Sequence, residues 1–218
     1  MHFQGVLFDM DGLLLDTEQL VVGSILEVGR SMGFTDLEPS VHRMIGLRVA
    51  QSSEILRQGL AGRVDLATFQ KACDSLIAAR VEQGIPVKPG AIELLQRLEA
   101  KEIPCAVATS TATETAEKHL EMAGLRHYFR SVTGGDMVRH AKPSPEIYLL
   151  AAETIGVSAN ESAAFEDSEP GVRAAHAAGA CVVQIPDLVP PSENLRALGH
   201  TIAPSLLHGA VSIGLIEG

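Results

Sequence analysis

The chain has 218 residues, 46% of them hydrophobic and 20% charged, with a formal net charge of −10 and no Trp. That length holds one large domain, or a core with a smaller insert, and an acidic chain without a basic patch is a poor nucleic-acid binder. No apolar run reaches the roughly 18 residues of a membrane span, and the start lacks the basic-then-apolar pattern of a signal peptide, so a cytoplasmic monomer is expected.

Residues 3–8 (FQGVLF) predict a buried first strand, and Gly12 allows a tight path away from it. Thr17 is expected to cap a helix, with Val21, Ile25, Val28 and Met32 at helical spacing and Gly33 as its stop. Helical signal continues over 38–60. Asp65 then caps another helix, which carries Leu66, Phe69, Cys73, Leu76, Ile77 and Val81 on one face. Residues 17–85 thus read as an all-helical insert without a strand.

From Pro86 helices and strands alternate. Pro89 opens a helix with Ile92, Leu95 and Leu98 on one face. Residues 103–108 are a strand, 112–123 a helix stopped by Gly124, and 130–133 a short strand. Ser144 and Pro145 open a helix that Gly156 closes. Residues 162–165 are a strand, 170–178 an Ala-rich helix, and 181–185 a strand; the tail adds a marginal strand at 201–203 and a last helix. This alternation predicts an α/β fold with a parallel sheet covered on both faces. The core domain comprises residues 1–16 and 86–218, and the helical cap domain residues 17–85. Cys73, Cys105 and Cys181 form no CxxC pair, which argues against a thiolate zinc site. Cys105 and Cys181 lie in apolar runs and read as buried.

Each predicted strand end carries a reactive group. The first ends in Asp9 and Asp11, the second in Thr109 and Ser110, the third leads to Lys142, and the fourth ends in Glu166 and Asp167. In a parallel sheet these ends face one crevice. One aspartate of the first pair can be a nucleophile and the other an acid/base where their environments differ. So many carboxylates need a hard cation among them, and Mg²⁺ suits oxygen ligands and a substrate phosphate. Thr109, Ser110 and the helix start after them suit phosphate oxygens, and Lys142 would neutralise anions as a point charge. Singly, each aspartate also reads as a turn or cap residue, and Lys142 as a solvated surface charge. The set of strand ends carries the argument.

These strings resemble the haloacid dehalogenase superfamily, in the branch of sugar-phosphate phosphatases and β-phosphoglucomutase with a helical cap after the first motif. FDMDGLLLDT (8–17), AVATST with Thr109, AKPSPEIYL with Lys142, and FEDSEPGVRAAHAAG with Glu166 and Asp167 carry the match across essentially the whole chain. The resemblance implies a Rossmann-like core and a Mg²⁺-dependent phosphatase acting on a small sugar or polyol phosphate. Asp9 would form an aspartyl-phosphate and Asp11 would serve as acid and base. Asp9, the Asp11 carbonyl, Asp167 and Glu166 would surround the metal. Thr109, Ser110 and Lys142 would hold phosphate. Asp11 argues against dehalogenation, since dehalogenases of the superfamily lack this second aspartate. Val21 stands where β-phosphoglucomutase carries a histidine, which favours hydrolysis over the mutase alternative. A non-catalytic phosphometabolite sensor is the alternative of another class, and the intact Asp9, Asp11, Lys142 and Asp167 argue against it. The insert would act as a lid, with Arg48 of its Gly46-Leu47-Arg48 loop contacting substrate.

Overall fold

In a computed structural model, which describes residues 3–44 and 49–218, six parallel strands form one sheet. The strands are β1 (Gly5–Phe8), β2 (Cys105–Ala108), β3 (Ser131–Thr133), β4 (Ser162–Glu166), β5 (Cys181–Gln184) and β6 (Thr201–Ile202). Their order is β3-β2-β1-β4-β5-β6. The first strand of the chain is therefore central, between β2 and β4, and the order reverses at that point. Helices α5 (Ala91–Ala100), α6 (Thr113–Met122), α7 (Glu146–Thr154), α8 (Glu169–Ala177), α9 (Glu193–Arg196) and α10 (Leu206–Ser212) belong to the same unit.

The three central strands, β2, β1 and β4, are fully buried because both faces of the sheet are covered there. On one face Leu7, Ala106, Ala108, Ala164 and Val182 pack with Ile147, Tyr148, Ala151 and Ala152 of α7 and Val172, Ala174 and Ala175 of α8. Alternation turns Val6, Phe8, Val107, Phe165 and Val183 to the other face. There the Phe8 and Phe165 rings stack at 5.3 Å, and each ring contributes about 1.5–3 kcal/mol by leaving water. Helix α10 approaches this face through Gly209, where a Cβ would stand 2.5 Å from Val183 Cγ1.

Residues 17–85 form a separate compact unit. Its helices are α1 (Thr17–Ser31), α2 (Glu38–Met44), α3 (Val49–Leu60) and α4 (Leu66–Gln83). Ile25, Val28, Phe34, Leu37, Val41, Leu56, Leu60, Phe69 and Cys73 make its own core, with Phe34 and Phe69 edge to face at 6.2 Å. Asp65 caps α4, its carboxylate accepting from the Thr68 N–H at 3.1 Å.

The sequence expectations hold for every strand and for the helices that follow them. Four details differ. Thr17 is the first helical residue of α1 rather than its cap. Helix α5 begins at Ala91, after Pro89, because Gly90 takes a left-handed φ of 83° and turns the chain into the helix. Glu166 ends β4 inside the ladder, paired with Gln184. Cys181 is only partly buried, at the start of β5. The expected substrate contact from Arg48 lies outside the described residues. Among those described, no helix is long and apolar enough to cross a membrane.

Candidate active site

The sheet register sets the site. Phe8 aligns with Val107 of β2 and Phe165 of β4, so the residues that follow these strands emerge side by side at the carboxyl edge. The N–H of Asp9 donates to the Phe165 carbonyl at 3.0 Å, extending the ladder by one residue. That fixes the backbone of Asp9 beside Glu166.

Lys142 reaches this edge from the loop after β3; its bond to Pro143 is cis. Its Nζ donates to Asp9 Oδ1 at 2.5 Å and to Glu166 Oε1 at 2.6 Å, with all three side chains buried. Glu166 is bound on both oxygens. Oε1 also accepts from the Tyr148 hydroxyl at 2.9 Å. Oε2 accepts from the N–H groups of Asp167 and Ser168 and from the Ser168 hydroxyl, each at 3.0 Å. The carboxylate lies against the first turn of α8, where Gly171 leaves it room: a Cβ at Gly171 would stand 1.7 Å from Oε1.

Electrostatics follow from this packing. Burial pushes the Asp9 carboxyl up to about 8; Lys142 opposes that shift, while Glu166 and Asp11 add to it. Glu166 is as deeply buried, yet the lysine and the converging donors outweigh burial and hold it below the usual carboxylate range. For Lys142, burial favours the neutral amine, but Asp9 and Glu166 dominate and keep it firmly protonated. Burial, then the nearby Glu166 and Asp9 charges, raise the Tyr148 hydroxyl well above its usual value, so it remains a donor.

Asp11 sits in a different environment, which is what two roles for two aspartates require. Its Oδ2 accepts from Thr111 Oγ1 at 2.7 Å and from Thr109 Oγ1 at 3.2 Å. Thr109 is fully buried and Ser110 is exposed. The Ser110 carbonyl packs closely on Gly135, where a Cβ would stand 2.4 Å from it.

Asp9, Glu166 and Asp167 each offer an oxygen within 4.8 Å of the others, the three-residue acidic cluster found among the described residues. Lys142 bridges Asp9 and Glu166 but compensates only one of the three charges, so a further cation is favoured, and an all-oxygen set suits a hard divalent ion. Asp167 is anchored through its backbone. Its carbonyl accepts from buried Gln184 Nε2 at 3.1 Å, and Gln184 Oε1 pairs with His200 Nε2 at 2.9 Å. Because the Gln184 amide nitrogen is used on Asp167, its oxygen must accept, so His200 carries its proton on Nε2.

The structure thus brings Asp9, Lys142, Glu166 and Asp167 together and links Asp11 to Thr109. Thr111, Tyr148, Gly171 and Gln184 were not singled out from sequence. Thr111 carried the only available signal, a third hydroxyl in the same strand-to-helix loop.

A family model described as haloacid dehalogenase-like hydrolase matches residues 6–185. A phosphorylated carbohydrates phosphatase from Thermotoga maritima is 35% identical over 176 residues, covering 81% of this chain and 82% of that protein. The fructose-1-phosphate phosphatase YqaB of Escherichia coli K12 is 34% identical, covering 84% and 97%. Among solved structures, a candidate beta-phosphoglucomutase from Thermotoga maritima superposes with a TM-score of 0.81 at 30% identity, covering 98% and 99%.

Proposed function

The chain belongs to the haloacid dehalogenase-like hydrolases and is a phosphatase of that family, and on that premise we propose that it hydrolyses a small sugar or polyol phosphate through an aspartyl-phosphate on Asp9. The observation that carries this reading is the buried Asp9–Lys142–Glu166 bridge at the carboxyl edge of the sheet. It places one carboxyl for attack, and beside it one fixed positive charge that opposes the effect of burial and favours the carboxylate form.

A carboxylate oxygen of Asp9 attacks phosphorus in line as the bond to the alcohol oxygen breaks. Asp11 gives its proton to the departing alkoxide. Asp11 then takes a proton from water, whose oxygen attacks phosphorus, and the bond to Asp9 breaks to release phosphate. Lys142, the Ser110 backbone and the Thr109 hydroxyl hold the phosphoryl oxygens, the Thr109 proton turning from Asp11 Oδ2 to the phosphate when substrate binds, and Thr111 orients Asp11 through its Oδ2. Asp9, the Asp11 carbonyl and Asp167 are suited to hold Mg²⁺, with Glu166 acting through water because its oxygens are occupied. When bound, the ion supplies charge neutralisation for the phosphoryl group.

A mutase reading draws on the likeness to the candidate beta-phosphoglucomutase. Val21 of α1 favours hydrolysis, since it offers no polar atom where β-phosphoglucomutase has histidine. The test is a panel of phosphate esters assayed for released phosphate with Mg²⁺ and with a chelator. Release from a sugar or polyol phosphate, abolished by chelation, is expected. Asp9→Asn is expected to cost at least about 10³-fold in kcat with an unchanged circular dichroism spectrum. Isomer without free phosphate would favour the mutase, and substantial residual turnover in Asp9→Asn would remove the nucleophile assignment.

A further inference from the structure

Lys88 and Asp187 form a partly buried ion pair that the proposed reaction does not use. Lys88 Nζ donates to Asp187 Oδ1 at 2.5 Å and stands 3.6 Å from Asp16 Oδ1. The Asp187 side chain is 8% exposed. Its second oxygen, Oδ2, is buried and accepts no hydrogen bond from any described residue. A buried carboxylate oxygen without a donor is costly, and such atoms in native proteins usually meet water or an ion.

Gly12 shows where that oxygen lies. Its φ is 81°, and a Cβ there would stand 2.5 Å from Asp167 Oδ2 and 3.5 Å from Asp187 Oδ2. Two carboxylates therefore converge on one glycine, and Asp167 is a member of the acidic cluster at the sheet edge. Adjacent carboxylate oxygens repel unless a donor or cation lies between them. A hard divalent ion with few protein ligands keeps several waters, which are strong hydrogen-bond donors.

We infer that Asp187 Oδ2 accepts a hydrogen bond from a water in the hydration shell of the cation held by Asp9 and Asp167. Asp187 is a positioning residue that sets how tightly the ion is held. Lys88 fixes its carboxylate through Oδ1 and compensates its charge. Gly12 is needed because any side chain there would block the path between Asp187 and the ion. The inference rests on the Mg²⁺ reading of the acidic cluster.

Calorimetric titration of Mg²⁺ into the metal-free full chain tests it without recourse to turnover. Asp187→Ala is expected to raise the Kd for Mg²⁺ about 10–100-fold relative to the unmodified chain. Asp187→Asn, which keeps an acceptor oxygen but not the charge, is expected to have a smaller effect. An unchanged Kd in Asp187→Ala would overturn the inference and leave the ion pair purely structural. Absence of Mg²⁺ binding to the unmodified chain would instead overturn the cation reading, and the inference with it. Should Asp187→Ala fail to fold, the Mg²⁺-induced rise in Tm of the near-isosteric Asp187→Asn decides: a smaller rise than in the unmodified chain supports the inference, and an equal rise overturns it.

Discussion

Glu166 illustrates how one side chain becomes fixed. It is fully buried, and every donor around it is spoken for: Lys142 and Tyr148 on one oxygen, the turn into α8 on the other. A charge this deep is tolerated only because it is paired and hydrogen-bonded. Gly171 is the counterpart of that arrangement. Replacing it with Ala would raise helix propensity by up to about 1 kcal/mol, yet the new methyl would overlap the carboxylate. Overpacking costs typically ~1–3 kcal/mol, and Glu166 has nowhere to move without releasing Lys142 from beside Asp9. Gly171→Ala is therefore expected to lower both stability in urea and kcat/KM. An unchanged kcat/KM would mean that the position of Glu166 does not govern Lys142.

At the scale of elements, α6 is held by a residue outside it. Its cap position, Ala112, offers no side-chain acceptor. Asp136, in the loop after β3, supplies one, accepting from the Thr113 N–H at 2.7 Å and its hydroxyl at 2.8 Å. These bonds favour the carboxylate and hold Asp136 below its ordinary pKa. A lowered folded-state pKa contributes stability above the unfolded value of about 3.9, and that contribution is lost as pH falls through the folded value. Asp136→Asn should therefore lower Tm at neutral pH, with the gap to the unmodified chain closing as pH falls through the lowered folded-state value. A Tm gap independent of pH would show that the charge plays no part. This pair also marks what the sequence conceals. Asp9, Lys142 and Glu166 were legible because strand periodicity announces where each strand stops, and a parallel sheet collects its ends. Asp136, Tyr148, Gly171 and Gln184 were not, because each takes its meaning from a partner that only the folded chain brings near. The boundary at Ala91 was blurred for a related reason: a proline and a glycine together fit more than one helix start.

The whole molecule consists of two units, each with its own core. Phe69 is fully buried at the centre of the helical one. Phe69→Ala should cost that unit about 3–5 kcal/mol, while every side chain of the acidic cluster lies in the other unit. A lower unfolding temperature with Mg²⁺ affinity retained is the expected pair of results from calorimetry, and a matching loss of affinity would show that the two units share their stability. The central place of β1 also bears on how the protein is made. Val6 has its partners at Cys105 and Ala163, both on the far side of the helical segment. At translation rates of ~5–20 residues per second, β1 waits roughly 5–20 s for its first neighbour. The helical segment, rich in short-range contacts, can form during that wait. The strand that leads to Asp9 is thus synthesised well before either of its neighbours, and through that interval its apolar run depends on remaining unpaired with any other chain.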